Sequence, residues 1–286
     1  MKKLLALVFV TAATLVVSAQ GVHRDLLHKP LADAWPTYSG DYSGKRYSAL
    51  TQINQRNVKT LTLAWTRRLV AGPGPSGPVP PDDPPVITGG EGDVVYGGAT
   101  IVKGAVLSVN GVLYVTAPDN VWALDANDGH LLWRYFWKTK GGTHIGNRGA
   151  GIWGNYLFFV TPDNYLISLD AKTGKERWHK ELASFQQQYF HTMAPVVIDN
   201  HVLVGSSNDL DMPGFLQSFE PETGELQWKW YATPQKAGDP GLDTWKNLDA
   251  SIHAGGHPWV PGAYDPETRL YIIGTGNPTP AYTSAP

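Results

Sequence analysis

Three stretches decide the fold: ALDANDGHLLW (123–133), SLDAKTGKERW (168–178) and SFEPETGELQW (218–228). Their tryptophans, Trp133, Trp178 and Trp228, recur at intervals of 45 and 50 residues, a period that matches one blade of a propeller. In each stretch an apolar pair leads to Asp or Glu, then to turn residues and a glycine able to take positive φ. An alternating strand ending on Trp follows, which describes a β-hairpin. A fourth stretch, AYDPETRLY (263–271), keeps the first half of the pattern and lacks the glycine.

Ahead of each hairpin stands another strand pair: VLSVNGVLYVTA (106–117), GIWGNYLFFVTP (151–162) and APVVIDNHVLVGSS (194–207). Each pair turns at an NG, GN or DN step between apolar or alternating runs. Four antiparallel strands per unit, repeated, predict an all-β chain folded as a β-propeller. The 31 Gly, 22 Pro, 11 Trp and 13 Tyr with only 17% charged residues favour the same class. The repeat tryptophans are expected to wedge between blades, and the Asp of each ALD or SLD element to be a turn residue.

Outside the repeats, residues 35–58 are polar and turn-rich and lead into LTLAWTRRL (61–69), expected as an outer strand that closes a ring. The segment 72–85, GPGPSGPVPPDDPP, is expected as an exposed loop, because proline lacks the donor that a ladder needs. Residues 1–19 combine Lys2 and Lys3, an apolar run and small residues, the build of a secretory signal peptide, with an uncleaved N-terminal anchor as the alternative; the mature chain is then expected to work outside the cytoplasm, with no membrane span after cleavage.

Several functions are excluded. A net charge of −2 leaves no basic excess for nucleic acid, and the absence of cysteine removes disulfides, thiolate metal sites and covalently attached haem. GGEGDVVYGG (89–98) and GTGNPT (274–279) lack the third glycine and the amphipathic helix of a nucleotide loop. His253 and His257 have zinc-binding spacing, but Ala-Gly-Gly between them and Pro258 after them disfavour the helix it needs. DANDG (125–129) lacks the distal glutamate of a calcium loop.

Polar groups cluster where an innermost strand would face the channel. GSSNDLDMPG (205–214) follows the apolar run HVLVG, and GTGN (274–277) takes the equivalent place one unit later. Carboxylate and amide oxygens from two blades suit a hard cation such as Ca²⁺.

These residues resemble the pyrroloquinoline-quinone (PQQ)-dependent alcohol dehydrogenases, eight-bladed quinoproteins, from Trp35 onward. The likeness is strongest in GNRG (146–149), in residues 191–228 and in WVPGAYDPETRLYIIGTGNP (259–278). It implies that Trp259 is the stacking floor of the quinone, Arg148 contacts the quinone, and Thr192, Ser207 and Asn208 line its pocket. It further implies that Asp209 and Asn277 hold Ca²⁺ or a lanthanide, with Asp211 near enough to compete with Asp209. The family's cysteine pair is replaced by Gly142-Thr143, and a glutamate expected before the first blade strand by Lys103. The family's catalytic Asp falls beyond Pro286.

The function so implied is oxidation of an alcohol, sugar or polyol in the periplasm, with electrons passing to a cytochrome c. The chain would supply about half of the eight-bladed ring and is expected to be inactive alone. The rival expectation is a non-enzymatic propeller scaffold of the outer-membrane assembly type, which would need neither Arg148 nor Trp259 nor the GTGN turn.

Overall fold

The computed structural model describes residues 27–29, 31–73, 82–94, 101–142 and 146–281. The leader expected at 1–19, most of the proline-rich loop and Thr143 lie outside the described residues. Blade A contains β1 (Val86–Gly89), β2 (Leu107–Val109), β3 (Val112–Ala117), β4 (Asn120–Asp125) and β5 (Leu131–Trp137). Blade B contains β6 (Gly151–Trp153), β7 (Tyr156–Val160), β8 (Tyr165–Asp170) and β9 (Glu176–Glu181). Blade C contains β10 (Val196–Ile198), β11 (His201–Gly205), β12 (Phe215–Phe219) and β13 (Leu226–Tyr231). The short helix α1 (Leu248–Ile252) leads to a fourth unit made of β14 (Gly255–His257), β15 (Ala263–Asp265), β16 (Leu270–Ile272) and β17 (Gly276–Thr279).

Blades B and C are four-stranded antiparallel meanders in sequence order, and blade A adds β1 as a parallel fifth strand on β5. The first strands converge: Leu107, Val109, Ile152, Val196, Ile198 and Tyr264 belong to one buried cluster. Residues 35–44 lace across these strands. Trp35 exchanges backbone hydrogen bonds with Ser108, Tyr42 Oη donates to the Val197 carbonyl at 2.6 Å, and the Tyr264 amide donates to the Tyr42 carbonyl.

The repeat hairpins share one construction. In all three the register shifts at the same place, between Ala123 and Leu124, Ser168 and Leu169, and Ser218 and Phe219. Each acidic residue closes its own turn, with Asp125 accepting from the Asn127 amide, Asp170 from Thr173, and Glu220 from Glu222 and Thr223.

Trp133 and Trp178 do join neighbouring blades, their indole N–H groups donating to the carbonyls of Ala171 and Pro221. The turn glycine of the next blade gives each ring its seat. A Cβ on Gly174 would meet Trp133 at 2.5 Å, and one on Gly224 would meet Trp178 at 2.8 Å. Positive φ, +70° at both positions, makes glycine doubly required.

Four expectations need correction. Each tryptophan is the third residue of its strand rather than the last, because β5, β9 and β13 continue past it. Trp228 is 39% exposed and meets no such hairpin among the described residues. Residues 61–69 pair in no ladder; instead Trp65 donates to the Ala126 carbonyl and packs on Gly129, repeating the seat of Trp133 one blade earlier. Finally, AYDPETRLY forms β15–β16, a two-stranded sheet of its own whose Tyr264 packs in the cluster of the other blades' first strands, so its likeness to the outer hairpins reflects shared turn chemistry and not shared position.

Candidate functional site

Two kinds of segment build a cavity of about 210 Å³. The first kind is the lead-in to a first strand: Arg148 precedes β6, Thr192 precedes β10 and Trp259 precedes β15. These lead-ins run side by side, with the Ala105 amide donating to the Arg148 carbonyl and the Arg148 amide to the Thr192 carbonyl, both at 2.9 Å. The second kind follows a second strand. Residues 206–214 link β11 to β12, and residues 273–277 follow β16 into β17. The polar stretch 205–214 is therefore an end loop and not part of an innermost strand; its polarity follows from its place at the rim of the hub.

All seven site residues anticipated from sequence, Arg148, Thr192, Ser207, Asn208, Asp209, Trp259 and Asn277, line this cavity, together with Phe190 and His257. Asp211 does not; it is exposed, with a carboxylate oxygen 3.7 Å from His253 Nδ1. Lys103 is likewise exposed and away from the lining.

Arg148 Cζ lies 4.5 Å from the centroid of the Trp259 ring, and Nη1 reaches the Thr192 carbonyl at 3.4 Å. Burial lowers the Arg148 pKa, which for a guanidinium leaves the charge in place. The hydroxyls of Thr192 and Ser207 are buried and have no hydrogen-bond partner among the described residues. Such groups cost stability unless a ligand or water satisfies them.

The Asn208 carboxamide is engaged in holding its loop, donating to the Gln187 carbonyl at 3.1 Å and accepting from the Leu210 amide at 2.7 Å. Asn277 sits at φ +53°, a left-handed conformation that asparagine tolerates better than most residues. The Ala281 amide donates to the Asp209 carbonyl at 3.1 Å, which brings the segment after Asn277 against the Asp209 loop.

Phe190 and His257 were not singled out for the site from sequence. Phe190 exchanges backbone hydrogen bonds with Ser207 and so fixes that residue at the rim. Nothing in its sequence neighbourhood marks this role. His257 was visible only as half of an unsuitable zinc pair with His253. The two now lie apart in kind: His253 is exposed beyond α1, whereas His257 is 1% exposed in β14. Burial holds the His257 imidazole below its ordinary pKa, against the pull of the Met212 carbonyl and the Asp209 carboxylate.

Among the described residues no three His, Asp or Glu side chains converge. A cation here would therefore draw on Asp209, on the Asn277 amide oxygen, and on oxygens brought by a ligand or water. An aromatic floor, a guanidinium and partnerless hydroxyls at the hub of propeller blades suit a flat, anionic, oxygen-rich ring system.

The chain belongs to the PQQ family, whose model, described as the glucose/ethanol/alcohol dehydrogenase beta-propeller domain, matches residues 35–285. It is 32% identical over 272 residues to the quinohemoprotein alcohol dehydrogenase ADH IIB of Pseudomonas putida, covering 86% of this chain and 34% of that protein. It is 30% identical over 290 residues to the quinohemoprotein alcohol dehydrogenase of Comamonas testosteroni, covering 94% and 37%. The chain thus spans about a third of the length of these curated relatives.

Among solved structures, the Comamonas testosteroni quinohemoprotein alcohol dehydrogenase superimposes with a TM-score of 0.71 at 27% identity, covering 92% of this chain and 38% of that one. A europium-containing methanol dehydrogenase superimposes with a TM-score of 0.67 at 25% identity, covering 89% and 44%.

Proposed function

We propose that this chain provides the cofactor-binding hub of a PQQ- and metal-dependent alcohol dehydrogenase that works in the periplasm and delivers electrons to a cytochrome c. One observation carries the reading. Seven residues drawn from separate stretches of sequence share a single cavity, in which the Thr192 and Ser207 hydroxyls are buried without partners among the described residues. A peptide-binding scaffold has no use for such a pocket at its hub.

The residues present fit the quinone. Trp259 offers a ring face for stacking, Arg148 a guanidinium for a carboxylate, and Thr192 and Ser207 two hydroxyl donors for ring oxygens. Asp209 and Asn277 would hold Ca²⁺ or a lanthanide at the rim, where hard oxygen ligands are what such ions select. When bound, the quinone with its cation supplies the two-electron oxidant for the alcohol.

The protein's part is placement. Arg148 would neutralise anionic charge inside a partly buried site, Trp259 would supply a stacking surface, and the loop 206–214 would hold Asp209 for a cation. Asp209 is the only carboxylate among the described residues lining the cavity, and ion binding occupies it. The proton acceptor for the alcohol is therefore assigned to no residue described here.

Titration of the chain with PQQ in the presence of Ca²⁺ or a lanthanide tests the reading. Quenching of tryptophan fluorescence that Trp259→Ala abolishes supports it. Failure to bind PQQ at saturating metal sinks it.

A further inference from the structure

His257 links the two halves of the cation shell, an inference that rests on the reading of the cavity as a quinone and cation site. Its backbone lies opposite Gly276 in the β14–β17 pair, next to Asn277. Its side chain crosses to the other half. Nδ1 lies 3.1 Å from Ser206 Oγ and Nε2 lies 3.2 Å from the Met212 carbonyl oxygen. Those two anchors bracket Asn208 and Asp209.

The hydrogen bonds admit one order. A carbonyl only accepts, so Nε2 carries the ring proton and Nδ1 of the neutral imidazole is an acceptor. The Ser206 hydroxyl then donates to Nδ1, while its oxygen accepts from the Phe215 amide at 2.9 Å. Both ends of the 206–214 loop are tied into this relay.

Neighbouring contacts close the arrangement. The Tyr189 ring meets the imidazole edge-on at 6.4 Å, and its hydroxyl donates to the Pro213 carbonyl at 2.9 Å. Gly214 packs on the carbonyl of Gly256 with no room for a Cβ. The Asp209 carboxylate, by contrast, makes no hydrogen bond among the described residues, so its aim depends on how the loop is held.

We propose that His257 is the positioning residue that sets Asp209 relative to Asn277, through Ser206 and Met212 on one side and Gly276 on the other. Groups that orient ligands are worth about 10- to 100-fold in metal affinity when removed.

The test uses the full chain with PQQ and Tb³⁺, whose luminescence reports both affinity and, through lifetimes in H₂O and D₂O, the number of bound waters. His257→Leu is expected to weaken Tb³⁺ binding by about 10- to 100-fold and to leave the bound ion with at least one extra water. Ser206→Ala is expected to shift both readouts the same way, with the double variant no worse than the more affected single one. His257→Gln, which can still donate to Met212, recovers part of the loss.

Unchanged affinity and lifetimes in His257→Leu overturn the proposal, as does a fall in the number of sites with affinity and lifetime unaltered, the mark of a merely structural role. Absence of Tb³⁺ binding by the wild type overturns the cation site and this proposal together. Wild-type binding with an unaffected His257→Leu overturns this proposal alone.

Discussion

The guanidinium of Arg148 rests over the indole of Trp259, 4.5 Å from Cζ to the ring centroid. Under the proposed function this pair would supply both the stacking surface and the positive charge for the quinone, side by side in one cavity. Removing the floor in Trp259→Ala is therefore expected to weaken PQQ binding by about 0.5–1.5 kcal/mol beyond the lost area. Calorimetric titration of both proteins checks this; equal affinities would show that the quinone does not stack there.

The partnerless hydroxyls give a prediction of opposite sign for stability and binding. Thr192→Val keeps the shape of the side chain and removes a buried oxygen that no described residue satisfies. Unfolding without cofactor should require about 1 kcal/mol more than in the wild type. PQQ affinity should fall if this hydroxyl donates to the ligand, as the proposed function requires. Denaturant melts and PQQ titrations on the same variant separate the two effects, and a variant that loses stability while keeping affinity would contradict the assignment.

The blade joints were the most legible feature of the sequence, because Trp133 and Trp178 are large, periodic and followed a blade later by an equally periodic glycine. The hub was legible in composition and not in placement. Asp209 and Asn277 stood out as polar residues after apolar runs, yet Asn277 is placed through the β14–β17 pairing, and residues 263–271 reach the other first strands through the bond from Tyr264 to Tyr42, contacts that the local sequence does not announce. Trp65 was hidden for another reason, since its tryptophan seat is kept while its strand is not. His257 escaped because its function is carried by two hydrogen bonds to residues 51 and 45 positions away.

Gly174→Ala tests the joint directly. The added Cβ would press on Trp133 at 2.5 Å and the backbone would have to hold φ +70° with a side chain. Left-handed strain and overpacking together are expected to cost about 2–5 kcal/mol. A midpoint in urea that did not move would mean that Trp133 contributes little to the joining of blades A and B.

His191 predicts how the fold responds to acid. It is fully enclosed beside Asn164, its Nδ1 2.9 Å from the Asn164 oxygen, and burial first, with Lys229 and His257 nearby, pushes its pKa from 6.5 down to about 3. Unfolded chains therefore bind a proton that the native protein refuses between those values. Stability contributed by neutral His191 is present above pH 6.5 and is lost as pH falls toward 3, by at most about 1.4 kcal/mol per pH unit. In His191→Gln that slope should shrink by one proton. An unchanged slope in denaturant melts across this range would place the acid sensitivity elsewhere.

Asp209 and Asp211 are two residues apart, yet only Asp209 lines the cavity, while Asp211 turns outward toward His253. If the rim holds a cation, the two carboxylates must differ in consequence. Asp209→Ala should abolish metal-dependent PQQ binding, since it removes the only anionic oxygen donor among the described lining residues. Asp211→Ala should leave binding within about twofold of wild type, because an exposed carboxylate beside a histidine contributes little. Asp209→Glu keeps a carboxylate on a longer arm and is expected to retain the ion. Lanthanide titrations of the three variants decide the matter, and loss of binding in Asp211→Ala with retention in Asp209→Ala would reverse the assignment.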